Sequence, residues 1–472
     1  MTGQRRKLQK QGTRCSRAAN EGKETGAEEA GDDQERGIME GFPVELIGNI
    51  LSYLDDIKDV VRASWTCRKW RVALRYLHTL CASWTRLGYL HTPGASETEW
   101  ELETEKLEFV LTDTILQTMG LQKLQIHSCT SFPAAAVIAW LSHIGDSLRH
   151  LDCNLPGSTP HVNVLESCAR MRCLQSLDLQ CLKFGDVRFV VADPTAELFP
   201  CLLSLHLSEG RVSTGELQKL VWGCQKLESL SLRYIRFSDP GFTLNLRSLS
   251  LKSLVCYSTN HHNVVLEANL LESFHLWFSI FTTFKVKTGI RFRSLQIRNS
   301  SIANLDLGNN TDCPDLEEVV VDTCEHVWAT IQCFLLEPSS KLRKLQLYGI
   351  PLDGNHPVNL NLGTISFLFP CLTHLGLSYR MVGNNLPIVE SQFQGSTVFE
   401  GVQFFELGYP VLDENLVLLM GRVLKICPNL KKLQVLGNNI YLSGRHSHDF
   451  MASFVVLVCK FSKVDFQFKV IC

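Results

Sequence analysis

The stretch Leu174-Gln175-Ser176-Leu177-Asp178-Leu179 follows the pattern L-x-x-L-x-L, and Leu202-Leu203-Ser204-Leu205-His206-Leu207 and Leu227-Glu228-Ser229-Leu230-Ser231-Leu232 repeat it. The closing L-x-L alternates with the period of a strand, so its leucines share one face and the residues between them share the other. Further copies start at Leu121, Leu148 and Leu246. Looser ones, with Phe or Val replacing some leucines, start at Leu271, Phe292, Leu316, Leu342, Leu372, Val402 and Leu430. Most neighbouring starts lie 25 to 30 residues apart, room for one strand and a returning helix or irregular turn. A unit of this size cannot bury its apolar face alone, so units must stack.

This is the strand signature of leucine-rich repeats. It predicts an α/β fold, a solenoid over residues 121–436 with a curved parallel sheet on one side and outer helices or turns on the other. Between Leu246 and Leu316 the spacing shortens and Ile302-x-x-Leu305-x-Leu307 adds a half-length match, so helices are expected to be lost there. Residues 83–120 read as a linker or N-terminal cap. Residues 437–472 read as an atypical end, because the runs Phe454 to Val458 and Phe461 to Cys472 are apolar where a solenoid calls for a polar cap. The last stretch of about 25 residues is expected to be an alternative or truncated terminus that leaves an edge prone to association.

Eighteen cysteines are spread along 472 residues with no signal-peptide core ahead of them, so they read as reduced thiols. Cys173, Cys201, Cys224, Cys313, Cys371 and Cys427 each fall just ahead of a repeat's first Leu, which predicts a packing role. No C-x-x-C occurs, and neither a metal nor another cofactor is expected. The His261-His262 pair and the Arg445-His446-Ser447-His448 segment read as solvated loops.

Lys plus Arg number 46 and Asp plus Glu 48, so no overall field draws the chain to nucleic acid or an anionic membrane. No segment reaches about 18 consecutive apolar residues. No phosphate-cradling glycine loop, nucleophile elbow or zinc-protease helix is found, so no catalytic role is expected. Residues 1–38 divide into a basic stretch with Arg5, Arg6 and Lys7 and an acidic one with Glu28, Glu29, Asp32 and Asp33, a composition that predicts a disordered tail. The change of character at Met39 raises the hypothesis that translation starts there, which N-terminal peptide mapping would test.

From Phe42 onward, Leu46, Ile47, Ile50, Leu51 and Leu54 recur at helical spacing, with Pro43 suited to the first turn. Asp55 and Asp56 break the pattern, Asp59 is a candidate cap for a second helix carrying Val60, Val61 and Ala63, and a third segment holds Cys67, Trp70, Leu74 and Leu77. About 40 residues of short helices are too few to bury all these side chains, so part of the surface calls for a partner.

In order, Phe42-Pro43, Ile50-Leu51-x-x-Leu54 and Thr66-Cys67-Arg68-Lys69-Trp70 resemble the F-box, over residues 39–82. Phe42 stands where that family more often has Leu, and Thr66 where it usually has an aliphatic. The resemblance implies docking on a Skp-type adaptor and, through it, on the cullin and RING subunits of a ubiquitin ligase. It makes Phe42, Pro43, Leu46, Ile47, Ile50, Leu54, Cys67 and Trp70 the candidate adaptor-binding residues, with Leu51 and Trp70 alternatively holding the module together.

The residues on either side of each middle leucine are expected on the concave face. The early ones are small or polar: Ser176, Asp178, Ser204, His206, Ser229, Ser231, Ser248 and Ser250. Later strands offer His275, Trp277, Arg298, Lys344, Tyr348, His374, Phe404 and Glu406. Aromatic and Arg side chains dominate binding hot spots, so capture of a protein substrate is expected between Ser273 and Glu406. The resemblance thus implies a non-catalytic substrate-recognition subunit acting in the nucleus or cytoplasm. A ligand-dependent, hormone-type receptor and an F-box scaffold outside ubiquitination are the alternatives.

Overall fold

In strand after strand the alternate positions of the repeat motif are buried and the positions between them are not, and the buried rows stack into one continuous core. The computed structural model describes residues 41–84, 97–128, 132–154, 164–169, 171–180, 198–239, 241–287, 292–307, 315–322, 331, 335, 340–351, 362–380, 398–409, 413–437 and 447–470. The tail expected over residues 1–38 lies outside them. The chain divides into residues 1–43 and 44–472, and the second unit holds all the elements named below.

Three short helices come first, α1 (Val44–Leu51), α2 (Ile57–Ser64) and α3 (Arg68–Ala73). Strand and helix then alternate through β1 (Thr79–Trp84), α4 (Glu97–Gln117), β2 (Lys123–Ser128), α5 (Ala134–Ile144), β3 (His150–Asn154), α6 (Val164–Ala169) and β4 (Ser176–Gln180). The middle comprises β5 (Ser204–Ser208), β6 (Arg211–Val212), α7 (Thr214–Gly223), β7 (Ser229–Arg233), β8 (Arg236–Phe237), β9 (Thr243–Arg247), β10 (Ser253–Tyr257), β11 (Asn260–Glu267), β12 (Ser273–Trp277), β13 (Ile280–Val286), β14 (Ser294–Arg298), β15 (Ser301–Asp306) and β16 (Glu318–Asp322). The last third carries β17 (Lys344–Pro351), α8 (Leu362–Leu368), β18 (His374–Arg380), β19 (Phe404–Gly408), α9 (Glu414–Ile426), β20 (Lys432–Gly437), α10 (Ser447–Lys460) and β21 (Asp465–Val470).

Fifteen strands make one parallel sheet in the order β1-β2-β3-β4-β5-β7-β10-β12-β14-β16-β17-β18-β19-β20-β21. Where repeats are short the outer helices are gone, as the spacing implied. Ser253, Ser273 and Ser294 begin successive strands only 20 and 21 residues apart, too few for a strand and a packed helix. A second parallel sheet, β15-β13-β11-β8-β6 with β9 alongside β11, takes the helices' place.

The chain turns from the first sheet to the second at one residue per repeat. Glu209, Tyr234, Ser258, Phe278 and Asn299 directly follow β5, β7, β10, β12 and β14, and all have positive φ, between 47° and 57°. A left-handed backbone costs a non-glycine residue about 1–2 kcal/mol. It is held here by a ladder of hydrogen bonds: the five N–H groups donate to the carbonyls of Arg233, Tyr257, Trp277, Arg298 and Asp322 at 2.7–3.1 Å. Beneath this lip Thr259, Ser279 and Ser300 are buried and satisfied, with the Ser279 Oγ accepting from Thr259 N and the Ser300 Oγ accepting from Ser279 N, each at 3.2 Å.

Four expectations need correction. The copy starting at Leu246 is out of register: Leu246 is buried in β9 of the second sheet, Leu249 is exposed and Ser248 is buried, so Ser248 and Ser250 are not concave-strand residues. The strand of that repeat runs instead through Leu251, Leu254 and Cys256. The end expected to be atypical forms a further helix-strand unit, with β21 in register beside β20. Cys224 and Cys427 are buried at helix C-termini, but Cys173 and Cys371 are exposed and do not pack; Cys313 lies outside the described residues. His261 is not in a solvated loop but buried in β11 against the Phe237 ring, at 4.5 Å between centroids; Arg445 and His446 lie outside the described residues.

Candidate functional site

Two surfaces present side chains without a structural task, one on the helical module and one on the concave sheet. In the module, α1 turns Ile47, Gly48 and Leu51 inward, against α3 and the turn after it. A Cβ on Gly48 would stand 2.6 Å from Tyr76 Cβ and 2.8 Å from the Ala73 carbonyl oxygen, so the two segments are in backbone contact there. Helix α2 buries Ile57, Val60 and Ser64 and is capped by Asp56, whose Oδ1 accepts from Lys58 N at 3.0 Å. Asp59, the expected cap, sits in the first turn and pairs with Arg62 on the surface. The Ser52 hydroxyl accepts from His78 N at 2.9 Å, and Met119 N donates to the Arg75 carbonyl at 3.1 Å, which ties the module to the solenoid.

The opposite face of α1 carries Leu46 and Ile50, 41% and 37% exposed, followed by Tyr53 at 86%. These positions, i, i+4 and i+7, form one stripe. Trp65 at the end of α2 is 70% exposed, and Val72 and Tyr76 are also open. Of the residues proposed for adaptor binding, Leu46, Ile50 and Cys67 are therefore open, and Leu54 and Trp70 are half-buried. Ile47 is the exception: it is fully buried in the module's own core, because it lies one position, a turn of about 100°, away from Leu46. Leu51 is buried with it. Pro43 is exposed just ahead of α1 and Phe42 precedes it. Tyr53, Trp65, Val72 and Tyr76 were not singled out from the sequence; two of the three aromatics, Tyr53 and Trp65, fall just past the residues that α1 and α2 bury, which is the signal that points to them.

On the concave face the expected later residues are placed by register in two rows. Lys344, His374 and Phe404 lie side by side at the starts of β17, β18 and β19. Trp277, Arg298, Asp322 and Tyr348 lie side by side on β12, β14, β16 and β17, with His275 one step back from Trp277. The His275 ring stacks on Trp277 at 5.8 Å, and its Nε2 is 3.1 Å from Ser273 Oγ and 3.2 Å from Ser294 Oγ. Ser294 Oγ donates to Glu318 at 3.1 Å, and Lys344 Nζ lies 2.7 Å from the same carboxylate. Burial would push the Glu318 pKa up, but Lys344 and the hydrogen bonds outweigh it and hold it below the usual range. Burial likewise lowers His275 and His374, which favours neutral imidazoles at both positions.

Further along, the Glu406 carboxylate reaches over β18 to accept from Gln346 Nε2 and the Tyr348 hydroxyl. It can do so because the intervening concave residue is Gly376; a Cβ there would meet the Tyr348 hydroxyl at 3.0 Å and Glu406 at 3.3 Å. Burial, then the Glu406 charge, pushes the Tyr348 pKa far up, so the phenol is a fixed donor. Burial raises the Asp322 pKa against the pull of Arg298. Among the described residues, Trp277 Nε1 and Arg298 Nε are buried without a hydrogen-bond partner, on neighbouring in-register residues. Glu318, Asp322 and Gln346 were missed from the sequence although the same register, applied from Leu316 and Leu342, selects them.

The profile of the F-box-like family matches residues 39–80, and that of the LRR repeats of the FBD-associated F-box protein At5g56370 matches residues 137–309. The F-box protein At1g10780 of Arabidopsis thaliana is 22% identical over 195 residues, covering 41% of this chain and 43% of its own. The F-box/LRR-repeat protein At1g67190 of Arabidopsis thaliana is 33% identical over 443 residues, covering 91% of this chain and 100% of its own. With a helical module where the F-box profile matches and a leucine-rich-repeat sheet behind it, the chain belongs to the F-box/LRR-repeat protein family.

Proposed function

We propose that this protein is the substrate-recognition subunit of a Skp-cullin-F-box ubiquitin ligase and has no chemistry of its own. The observation that carries the proposal is the pairing of an outward apolar stripe, Leu46, Ile50 and Tyr53, with a long concave sheet bearing two rows of large side chains. The stripe, together with Phe42, Pro43, Trp65 and Cys67, docks on a Skp-type adaptor, which brings cullin and RING subunits. Helix-on-helix docking of such a stripe is a standard mode of recognition. The concave rows from His275 to Phe404 hold the protein to be ubiquitinated, with Trp277, Arg298 and Tyr348 as the anchors.

Leu46 and Ile50 are exposed, so replacing both with Ala removes little of the module's own core. The expected result is at least about a tenfold loss of adaptor affinity, on the basis of about 1 kcal/mol or more for each aliphatic buried on docking. Co-purification of the full chain with a Skp-type adaptor measures it. Undiminished adaptor recovery by the double variant would sink the assignment of this face.

A further inference from the structure

We propose that a second copy of this chain pairs with it through β21, antiparallel and centred on Gln467, to give a closed dimer with one sheet running through both copies. Among the described residues, β21 pairs on one side only, with β20. A strand edge with no strand beside it is the usual template for another.

The side chains of β21 select both the partner and the register. Asp465, Gln467 and Lys469 alternate with Phe466 and Phe468. In a two-fold antiparallel pairing centred on Gln467, Asp465 of each copy stands opposite Lys469 of the other, and Phe466 stands opposite Phe468. Both kinds of cross-strand pair are favourable. Same-face pairing requires a register shift of two residues at a time. Sliding the pair by one such step in either direction takes Asp465 away from Lys469, so the centred register is the one that matches charge.

The apolar surface beside this edge points the same way. Phe468 packs on Phe450 and Phe454 of α10 yet stays 39% exposed, and Met451 and Val455, on one face of that helix, are 51% and 54% exposed. Two copies joined at β21 bring their α10 helices alongside the seam and cover this surface. Because the contact uses the same patch on both copies, it closes at two.

Sedimentation equilibrium of the full chain tests the proposal. The expected mass at micromolar concentration is twice the 53.2 kDa of the chain. Asp465→Lys places like charges opposite each other twice in the seam and is expected to weaken the dimer roughly tenfold or more. Asp465→Lys combined with Lys469→Asp restores opposite charges and should restore the wild-type dissociation constant, which separates a seam effect from a folding defect. A monomer at all concentrations, a dimer indifferent to the single reversal, a double reversal that fails to rescue, or a mass that climbs beyond two copies would each overturn the proposal.

Discussion

Replacing Gly48 with Ala sets two effects of opposite sign against each other, and the structure decides which wins. In a helix interior Ala is favoured over Gly by about 1 kcal/mol. At Gly48, however, the new Cβ would lie 2.6 Å from Tyr76 Cβ and 2.8 Å from the Ala73 carbonyl, closer than such atoms approach. Neither contact is with a flexible side-chain tip, so α1 must move away from the segment after α3. Overpacking of this kind typically costs about 1–3 kcal/mol, which leaves a net destabilisation of up to about 2 kcal/mol. Gly421 in α9 is the control, because a Cβ there meets only Leu457 Cδ1, at an ordinary 3.7 Å. Amide hydrogen exchange resolves the two sites separately. Gly48→Ala should speed exchange across residues 44–77 by up to roughly thirtyfold, and Gly421→Ala should slow it across α9 by about fivefold. Slower exchange in the module of the Gly48 variant would refute the claim that α1 and Tyr76 are in backbone contact.

Two further substitutions probe the solenoid. Burial, with the nearby Asp152 charge adding to it and Arg233 and His127 opposing, raises the Asp178 pKa from 3.8 to about 6. His206 Nδ1 is 3.5 Å away, but burial lowers its pKa, so it offers little positive charge at neutral pH. The folded state thus holds the Asp178 proton more tightly than the unfolded chain does, and the ionised form costs stability in full above about pH 6 and not at all below 3.8. Asp178→Asn should raise the thermal stability at pH 7.5 by about 1 kcal/mol, discounted for a side chain 38% exposed, and the gain should vanish towards pH 4; a less stable variant at pH 7.5 would contradict this. Ser279→Ala leaves the buried Thr259 N–H without its acceptor and should cost about 1–3 kcal/mol in urea unfolding, whereas a cost below about 0.5 kcal/mol would show that the buried hydroxyl ladder does not hold the lip.

How much of this was legible in the sequence depended on whether a local pattern had one physical reading. The L-x-x-L-x-L copies from Leu121 to Leu202 did, because each is followed by room for a helix and admits one strand phase. At Leu246 two phases were available, Leu246-x-x-Leu249-x-Leu251 and Leu251-x-x-Leu254-x-Cys256. The choice falls to the second because Leu246 is needed beside Leu266 in the second sheet, a pairing twenty residues away that no local pattern encodes. The loss of helices was legible from spacing alone. In the module, Leu46, Ile47, Ile50 and Leu51 are all apolar, so periodicity showed an amphipathic helix but not which two residues face inward. Gly48 decides it, since only the face with no side chain can lie flush against Ala73 and Tyr76.

The short repeats also bear on the placement of two of the proposed anchors, Trp277 and Arg298. Tyr257, Trp277 and Arg298 end the strands of the region that has no outer helices, and the residues after them turn left-handed to enter the second sheet. The carbonyl of each is held by the N–H of the left-handed residue in the preceding repeat, at 2.7–2.9 Å. Above them the rings brace one another, Tyr257 edge-on to Tyr234 at 5.1 Å and to Trp277 at 6.2 Å, and Trp277 stacked on His275. Side chains so fixed lose little conformational freedom when a partner covers them, and that lost freedom is a main cost of association. A strained turn at one end of each strand therefore has a use at the surface: it pins the backbone under the residues best suited to act as anchors.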